Sequence, residues 1–155
     1  MESKAKRLDT HLEAEAAEFL VLGNLLLNKI TAYKAYVNHG GYDIVAVEEE
    51  KNSSARIQVK SRYQTGWNGF LIKKIDCDFV VLVTLNRGYK TKKKNGDTGL
   101  KEPEFYVFES EFIMNLERTK GWGKIQKSKL KDYLDSSKNR WDLIKEFLSK
   151  DLSVR

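Results

Sequence analysis

An acid and a glutamine–lysine pair lie a short distance apart in this chain, on segments with the composition of strands. Asp43 opens an apolar run, and Gln58 and Lys60 lie in the run that follows after a short charged gap. Because side chains on a strand alternate between its faces, Gln58 and Lys60 share one face. Carboxylate and amide oxygens bind hard cations, and a lysine ammonium attracts phosphoryl oxygens. The grouping therefore favours metal-dependent cleavage of phosphodiesters.

A further acid is carried by a helix predicted from Thr10 to Asn28, with Thr10 as the N-cap and Glu13 at the capping-box position. The helix is apolar nearly all round, which is typical of a helix buried against a sheet. Glu18 interrupts that surface, and a buried charge needs a cation, a metal or water. Glu15 lies one turn earlier on nearly the same side and is expected to share the site.

The remaining patterns predict five strands and three further helices. Composition and turn residues place the strands at 30–37, 42–48, 55–61, 79–85 and 104–108, and the helices at 109–116, 127–134 and 139–148. The apolar strand 79–85 is expected to be central and covered on both faces. Residues 61–75 are predicted to be irregular, and their form is not assigned. The parentheses in the predicted order, α-β-β-β-(α)-β-β-α-α, mark the place of this segment.

Length and composition predict one domain spanning residues 1–155, with 41% hydrophobic and 32% charged residues. Cys77 is the sole cysteine, so it forms no internal disulfide, and with two histidines it makes no closed zinc site. A reducing, cytoplasmic compartment is expected. No apolar run approaches the roughly 18 residues of a membrane span, so no membrane association is expected.

A net charge of +6 favours a polyanionic partner. Positive charge gathers in a basic loop, 86–103, and again in residues 118–131. Either cluster could contact phosphate or be an ordinary solvated surface, and the sequence leaves these alternatives equal. The loop residues concerned are Lys90, Lys92, Lys93 and Lys94. Arg56 and Arg62 lie on the Gln58/Lys60 face and are candidates for phosphate contact, with solvent exposure as the alternative.

The order of these residues resembles the PD-(D/E)XK nuclease superfamily, especially its small endonuclease-like and junction-resolvase-like members. The resemblance rests on a helix with Glu18, on Asp43 opening a strand, and on Gln58-x-Lys60 in the next strand, and it covers about residues 10 to 85. It implies an α/β (α+β) fold with a central mixed sheet flanked by helices, around a restriction-endonuclease-like αβββαβ core. The implied activity is that of a metal-dependent endonuclease acting on DNA.

The same resemblance implies a role for each residue. Asp43 would be the central Mg²⁺ ligand, with Mn²⁺ as an alternative, and Gln58 and the backbone carbonyl of Val59 would complete the protein's donors. Glu18, with Glu15 beside it, would hold the metal's outer side. Lys60 would position or deprotonate the attacking water and stabilise charge on the phosphoryl oxygens.

Two positions depart from the family pattern. Tyr42 stands where proline is usual, and Gln58 stands where an acid is usual. An amide oxygen still binds a hard cation but contributes no charge. Gln58 therefore keeps open an alternative function, an inactive nuclease-fold module that binds nucleic acid or a protein. If the protein cuts both strands of a duplex, a homodimer is expected.

Overall fold

A computed structural model describes residues 10–36 and 41–150. Its elements in chain order are α1 (His11–Leu27), β1 (Thr31–Lys34), β2 (Ile44–Glu48), β3 (Ser53–Arg62), β4 (Gly69–Leu71), β5 (Phe79–Thr84), β6 (Glu104–Glu109), α2 (Ser110–Met114), β7 (Lys124–Gln126), α3 (Lys127–Leu130), a 3₁₀ turn (Lys131–Tyr133), α4 (Leu134–Ser137) and α5 (Trp141–Ser149).

Five strands form a mixed sheet in the order β1-β2-β3-β5-β6. The pairs β1–β2, β2–β3 and β5–β6 are antiparallel, and β3 and β5 run parallel. The short strands β4 and β7 pair separately as a two-stranded ribbon. This architecture confirms the predicted α+β class, with a central mixed sheet and flanking helices.

The strand β5 is an interior strand of the sheet and is covered on both faces, as its composition predicts. All six of its residues are buried. Alternate residues of β5 enter two separate apolar layers, so Val81 faces the layer with α1 and α5, whereas Val80 faces the layer with the ribbon and α2. A strand with both faces covered must be apolar throughout, which explains its continuous run of apolar side chains.

Several predicted boundaries need correction. The segment 61–75 contains the strand β4 and no helix, and β7, its partner, was not predicted at all. The helix predicted at 127–134 is instead divided into α3, a 3₁₀ turn and the start of α4. The first strand ends at Lys34, and the predicted residues 37–40, with His39, lie outside the described residues.

The surface of α1 also differs from expectation. The buried residues of α1 are Ala17, Val21 and Leu25, and they form the one face of the helix that packs on the sheet. Apolar residues on the opposite side are exposed to solvent, so the helix is not buried all round. The Thr10 side chain makes no capping hydrogen bond, and the predicted capping box is therefore wrong.

Among the described residues, none of the helices has both the length and the apolar character that crossing a membrane requires.

Candidate active site

Asp43 lies immediately before the first residue of β2. Its backbone N–H donates to the carbonyl of Ile57 at 2.8 Å, and its carbonyl accepts from Ala35 at 2.9 Å. Its carboxylate oxygen Oδ2 accepts a hydrogen bond from the N–H of Val59 at 2.7 Å. The side chain thus supplies an acceptor at the place where β2 begins beside β3. These three bonds fix the position of the carboxylate.

The carbonyl of Val59 faces the same side as its N–H, because both groups of a strand residue point toward the same neighbouring strand. Since the Val59 N–H points to Asp43, the Val59 carbonyl also points to the side of β3 on which Asp43 lies. The carboxylate and the carbonyl therefore present oxygen atoms to one region.

Gly41 permits the chain to reach this point. Its φ of 123° lies in the region that favours glycine, and a Cβ there would lie 2.8 Å from the Cβ of Asp76. A side chain at position 41 would push the two segments apart, and Asp43 is only two residues away. The glycine before Asp43 is thus a steric requirement of the site.

Glu18 and Asp43 lie close enough for their charges to interact. Burial raises the pKa of Glu18, and the negative charge of Asp43 raises it further. Burial also raises the pKa of Asp43, against the opposing effects of the Val59 N–H and of Lys60 and Lys34. Two acids with raised pKa values in one region are destabilised as anions, and a bound cation would relieve that cost.

Lys60 occupies the same region. Burial lowers the pKa of Lys60, and the charge of Asp43 opposes this effect. Among the described residues, Glu18 and Lys60 form no ion pair within 4 Å, so Lys60 is not the salt-bridge partner of Glu18. Lys60 also lines a cleft of about 460 Å³ between the start of α1 and residues 59–64. This cleft provides an opening from Lys60 to solvent.

Gln58 lies beside Lys60 on the same face of β3, as strand alternation predicts. In the parallel register Gln58 pairs with Val80 and Lys60 pairs with Leu82. Both partners on β5 belong to the apolar layer that contains the ribbon. The Gln58 side-chain oxygen lies 3.9 Å from the sulfur of Cys77, which is also 3.2 Å from the Ser110 hydroxyl. This thiol contact is weak and leaves most of the amide's acceptor capacity for another partner.

Lys34 was not predicted as a site residue, yet it forms an ion pair with Glu15 and lies close enough to Glu18 for their charges to interact. Its ammonium donates to Glu15 Oε2 at 2.6 Å and lies 4.1 Å from the centroid of the Phe19 ring. The Lys34 side chain is only 4% exposed. Burial alone would lower the pKa of Lys34, but the Glu15 hydrogen bond and the charges of Glu18 and Glu15 together raise it.

The ion pair changes the role expected of Glu15. The hydrogen bond from Lys34 lowers the pKa of Glu15 and holds its carboxylate on the β1 side of the helix. Glu18 has no such partner within salt-bridge distance among the described residues. Of these two acids on α1, Glu15 is therefore paired with Lys34, whereas Glu18 forms no ion pair among the described residues.

The donor set suits a metal that requires few protein ligands. Within the described residues, no group of three or more His, Cys, Asp and Glu side chains could hold a metal ion. The available donors are two carboxylates, an amide oxygen and a backbone carbonyl, namely those of Asp43, Glu18, Gln58 and Val59. Mg²⁺ retains several waters and takes only one or two carboxylates, so these hard oxygen donors fit it.

The residues predicted to contact nucleic acid lie in different settings. The Arg56 guanidinium pairs with Asp76 at 3.2 Å and lies 3.9 Å from Asp78 Oδ2, so its charge is already partnered. Arg62 is exposed at the end of β3. Four lysines of the basic loop are also exposed, and Lys93 lies over the Tyr89 ring; the four are Lys90, Lys92, Lys93 and Lys94.

Comparisons with known proteins agree with the fold. No family model matches the sequence, and no curated protein matches it at a significant level. A solved structure of similar architecture is that of a bacterial homing endonuclease, I-Ssp6803I, with 19% identity and a TM-score of 0.59. The alignment covers 89% of this chain and 93% of that chain. The likeness shows that this chain has an endonuclease-like fold.

The electrostatic strain at Glu18 predicts a pH-dependent change in stability. Because the folded-state pKa of Glu18 is raised, the native state holds more protons than the unfolded state between the two pKa values, and stability falls as pH rises through that window. Glu18→Gln should therefore raise Tm by about 1–2 °C at neutral pH without metal, a small effect because Glu18 is partly solvated. Below the ordinary carboxyl pKa the two proteins should unfold alike. Thermal melts across pH measure the difference.

The matched control for this measurement is Glu13→Gln, which changes an acid on the same helix. An equal gain in both variants, or a gain in Glu18→Gln that grows as pH falls, would show that Glu18 is not electrostatically strained.

Proposed function

We propose that this protein is a metal-dependent endonuclease of the PD-(D/E)XK type that hydrolyses DNA phosphodiester bonds. The observation that supports this most is the site itself. Asp43 is hydrogen-bonded to β3, burial and then the charge of Asp43 raise the pKa of Glu18, and Lys60 lies near Asp43 next to an open cleft. The endonuclease-like fold agrees with this proposal.

In this proposal Asp43, Gln58, Glu18 and the Val59 carbonyl would hold Mg²⁺ or Mn²⁺. A cation held there would supply Lewis-acid chemistry to a phosphoryl oxygen and would lower the pKa of a water molecule. Asp43 supplies the fixed anionic ligand, since its other oxygen is already bonded to Val59. Gln58 adds a neutral oxygen, so the site carries less negative charge than one with a third acid.

Lys60 provides the proton chemistry and charge stabilisation. Its pKa, lowered by burial, increases the fraction of neutral amine that can accept a proton from the attacking water. In its protonated form it stabilises the charge that develops on the phosphoryl oxygens. Lys34 acts indirectly, because its hydrogen bond to Glu15 partly neutralises a carboxylate whose charge otherwise acts on Asp43 and Glu18.

A second candidate function is a module that binds DNA or a protein without cutting. Gln58 favours it, together with the absence of a three-acid metal cluster among the described residues. The two candidates differ in one direct experiment. Plasmid, single-stranded and branched DNA are incubated with the protein across concentrations of Mg²⁺ and Mn²⁺. Metal-dependent cleavage that Asp43→Ala lacks supports the nuclease, and retarded migration without cleavage supports the binding module.

The basic loop is expected to contribute to binding and not to chemistry. If Lys90, Lys92, Lys93 and Lys94 contact phosphates, changing all four to glutamine should weaken DNA binding and reduce the log–log salt slope by roughly 0.9 per lost contact. Fluorescence anisotropy at several salt concentrations, in Ca²⁺ to suppress cleavage, measures both quantities.

The control variant carries lysine-to-glutamine changes at exposed positions away from the loop, Lys73 and Lys74. An unchanged salt slope in the quadruple variant would show that the loop is an ordinary solvated surface.

A further inference from the structure

The side of α1 that faces away from the sheet carries a continuous row of apolar residues. We call it the outer seam, and it consists of Leu12, Ala16, Phe19, Gly23 and Leu26. The large side chains are well exposed, Leu12 at 77%, Phe19 at 53% and Leu26 at 50%. Beside the seam, Leu20 and Leu27 expose another 38% and 79%. No charged residue interrupts the row.

The outer seam has the spacing of a helix–helix contact. Its residues follow one another at alternating intervals of four and three, which is the a/d repeat of a coiled coil. On a wheel of 100° per residue, the seam lies about opposite the buried face of Ala17, Val21 and Leu25. The helix therefore has two apolar faces, one packed on the sheet and one open.

The centre of the seam admits close approach of another helix. A Cβ built on Gly23 would have no atom within 4 Å, and Ala16 lies two turns earlier on the same row. Small residues between larger ones let a second backbone come near, while Phe19 and the leucines on either side supply apolar area.

The rest of the chain does not provide a partner for this row. Other described helices contain nine residues or fewer, and the apolar stripe of the longest of them, α5, is buried in the core. The segments outside the described residues, 1–9, 37–40 and 151–155, contain only scattered apolar residues among polar and charged ones. The helix with a matching exposed row is α1 itself, in a second copy.

We propose that the outer seam is a self-association surface through which two copies of this chain pair, α1 against α1. A two-fold dimer requires a self-complementary patch, and a heptad-spaced apolar row meets that requirement. The exposed apolar side chains would bury roughly 600 Å² on each copy, close to the lower limit of a specific interface. The contact does not depend on the proposed nuclease activity.

Sedimentation velocity of the full chain, without DNA or metal, tests the pairing from about 1 to about 100 μM. The wild type should sediment at twice the mass of one chain, and Leu26→Glu should weaken the dimer by about tenfold or more, because it places a charge in the apolar contact. The matched control is Met114→Glu, which changes a residue on α2 that is also 50% exposed. It should sediment as the wild type does. Circular dichroism verifies that both variants are folded.

A wild-type protein that stays monomeric throughout this range would overturn the proposal, and so would a dimer that Leu26→Glu leaves intact. A dimer weakened by Leu26→Glu in a protein that does not cut DNA would support the interface while refuting the proposed function.

Discussion

Replacing Asp43 by alanine should lower the rate of DNA cleavage by about 10³-fold or more and abolish metal binding, because it removes the carboxylate of the proposed site that the Val59 N–H of β3 fixes in place. The fold should persist. Loss of the Val59 hydrogen bond costs stability, but removal of a partly buried carboxylate with a raised pKa compensates for it. Plasmid cleavage and isothermal titration with Mn²⁺ measure the two losses separately.

The matched control is Asp132→Ala, which removes an exposed acid on the 3₁₀ turn, away from β2 and β3. This variant should cut DNA and bind metal as the wild type does. Cleavage by folded Asp43→Ala at the wild-type rate would refute the assignment of the site. Loss of cleavage with unchanged metal binding would place the metal elsewhere.

Strand periodicity was sufficient to predict which of the candidate site residues share a face of the sheet. Gln58 and Lys60 share a face because side chains alternate on β3, and the acid before β2 follows from hairpin pairing of adjacent strands. These relations are local, so the sequence contains them. The apolar run of β5 likewise identified it as an interior strand that is covered on both faces.

Other features depend on contacts between distant segments. The strands β4 and β7 have three residues each and pair across more than fifty positions, so neither has a periodicity of its own to detect. An apolar helix surface shows that burial is needed but does not show what covers it. For α1 the sheet covers only one of the two faces.

The sequence contains a pattern from which the buried ion pair of Lys34 could have been predicted. Ile30 and Ala32 are buried, and Lys34 is the next residue in that alternation. A lysine at an inward strand position needs an anion, and Glu15 on the apolar helix α1 supplies it. Pairing the two isolated charges would have identified both the ion pair and the acid left over, Glu18.

Replacing Lys60 by alanine should separate catalysis from binding. The variant should lose turnover by about 10²–10⁴-fold, the usual contribution of a positioned acid or base, while its affinity for DNA changes little. The reason is that Lys60 acts on charge and protons that develop in the transition state. Single-turnover cleavage at saturating DNA measures the first quantity, and anisotropy in Ca²⁺ measures the second.

Lys60→Arg distinguishes a proton acceptor from a fixed positive charge. Arginine keeps the charge but does not deprotonate in a protein, so it should not restore turnover if Lys60 accepts the proton of the attacking water. In the wild type the cleavage rate should rise as pH passes through the lowered pKa of Lys60, and this rise should be missing from both variants. Lys73→Ala, at an exposed position, should retain the wild-type profile. If Lys60→Ala lost affinity yet cut normally at saturating DNA, Lys60 would be a phosphate contact like the loop lysines, and the proton would have to pass to another group.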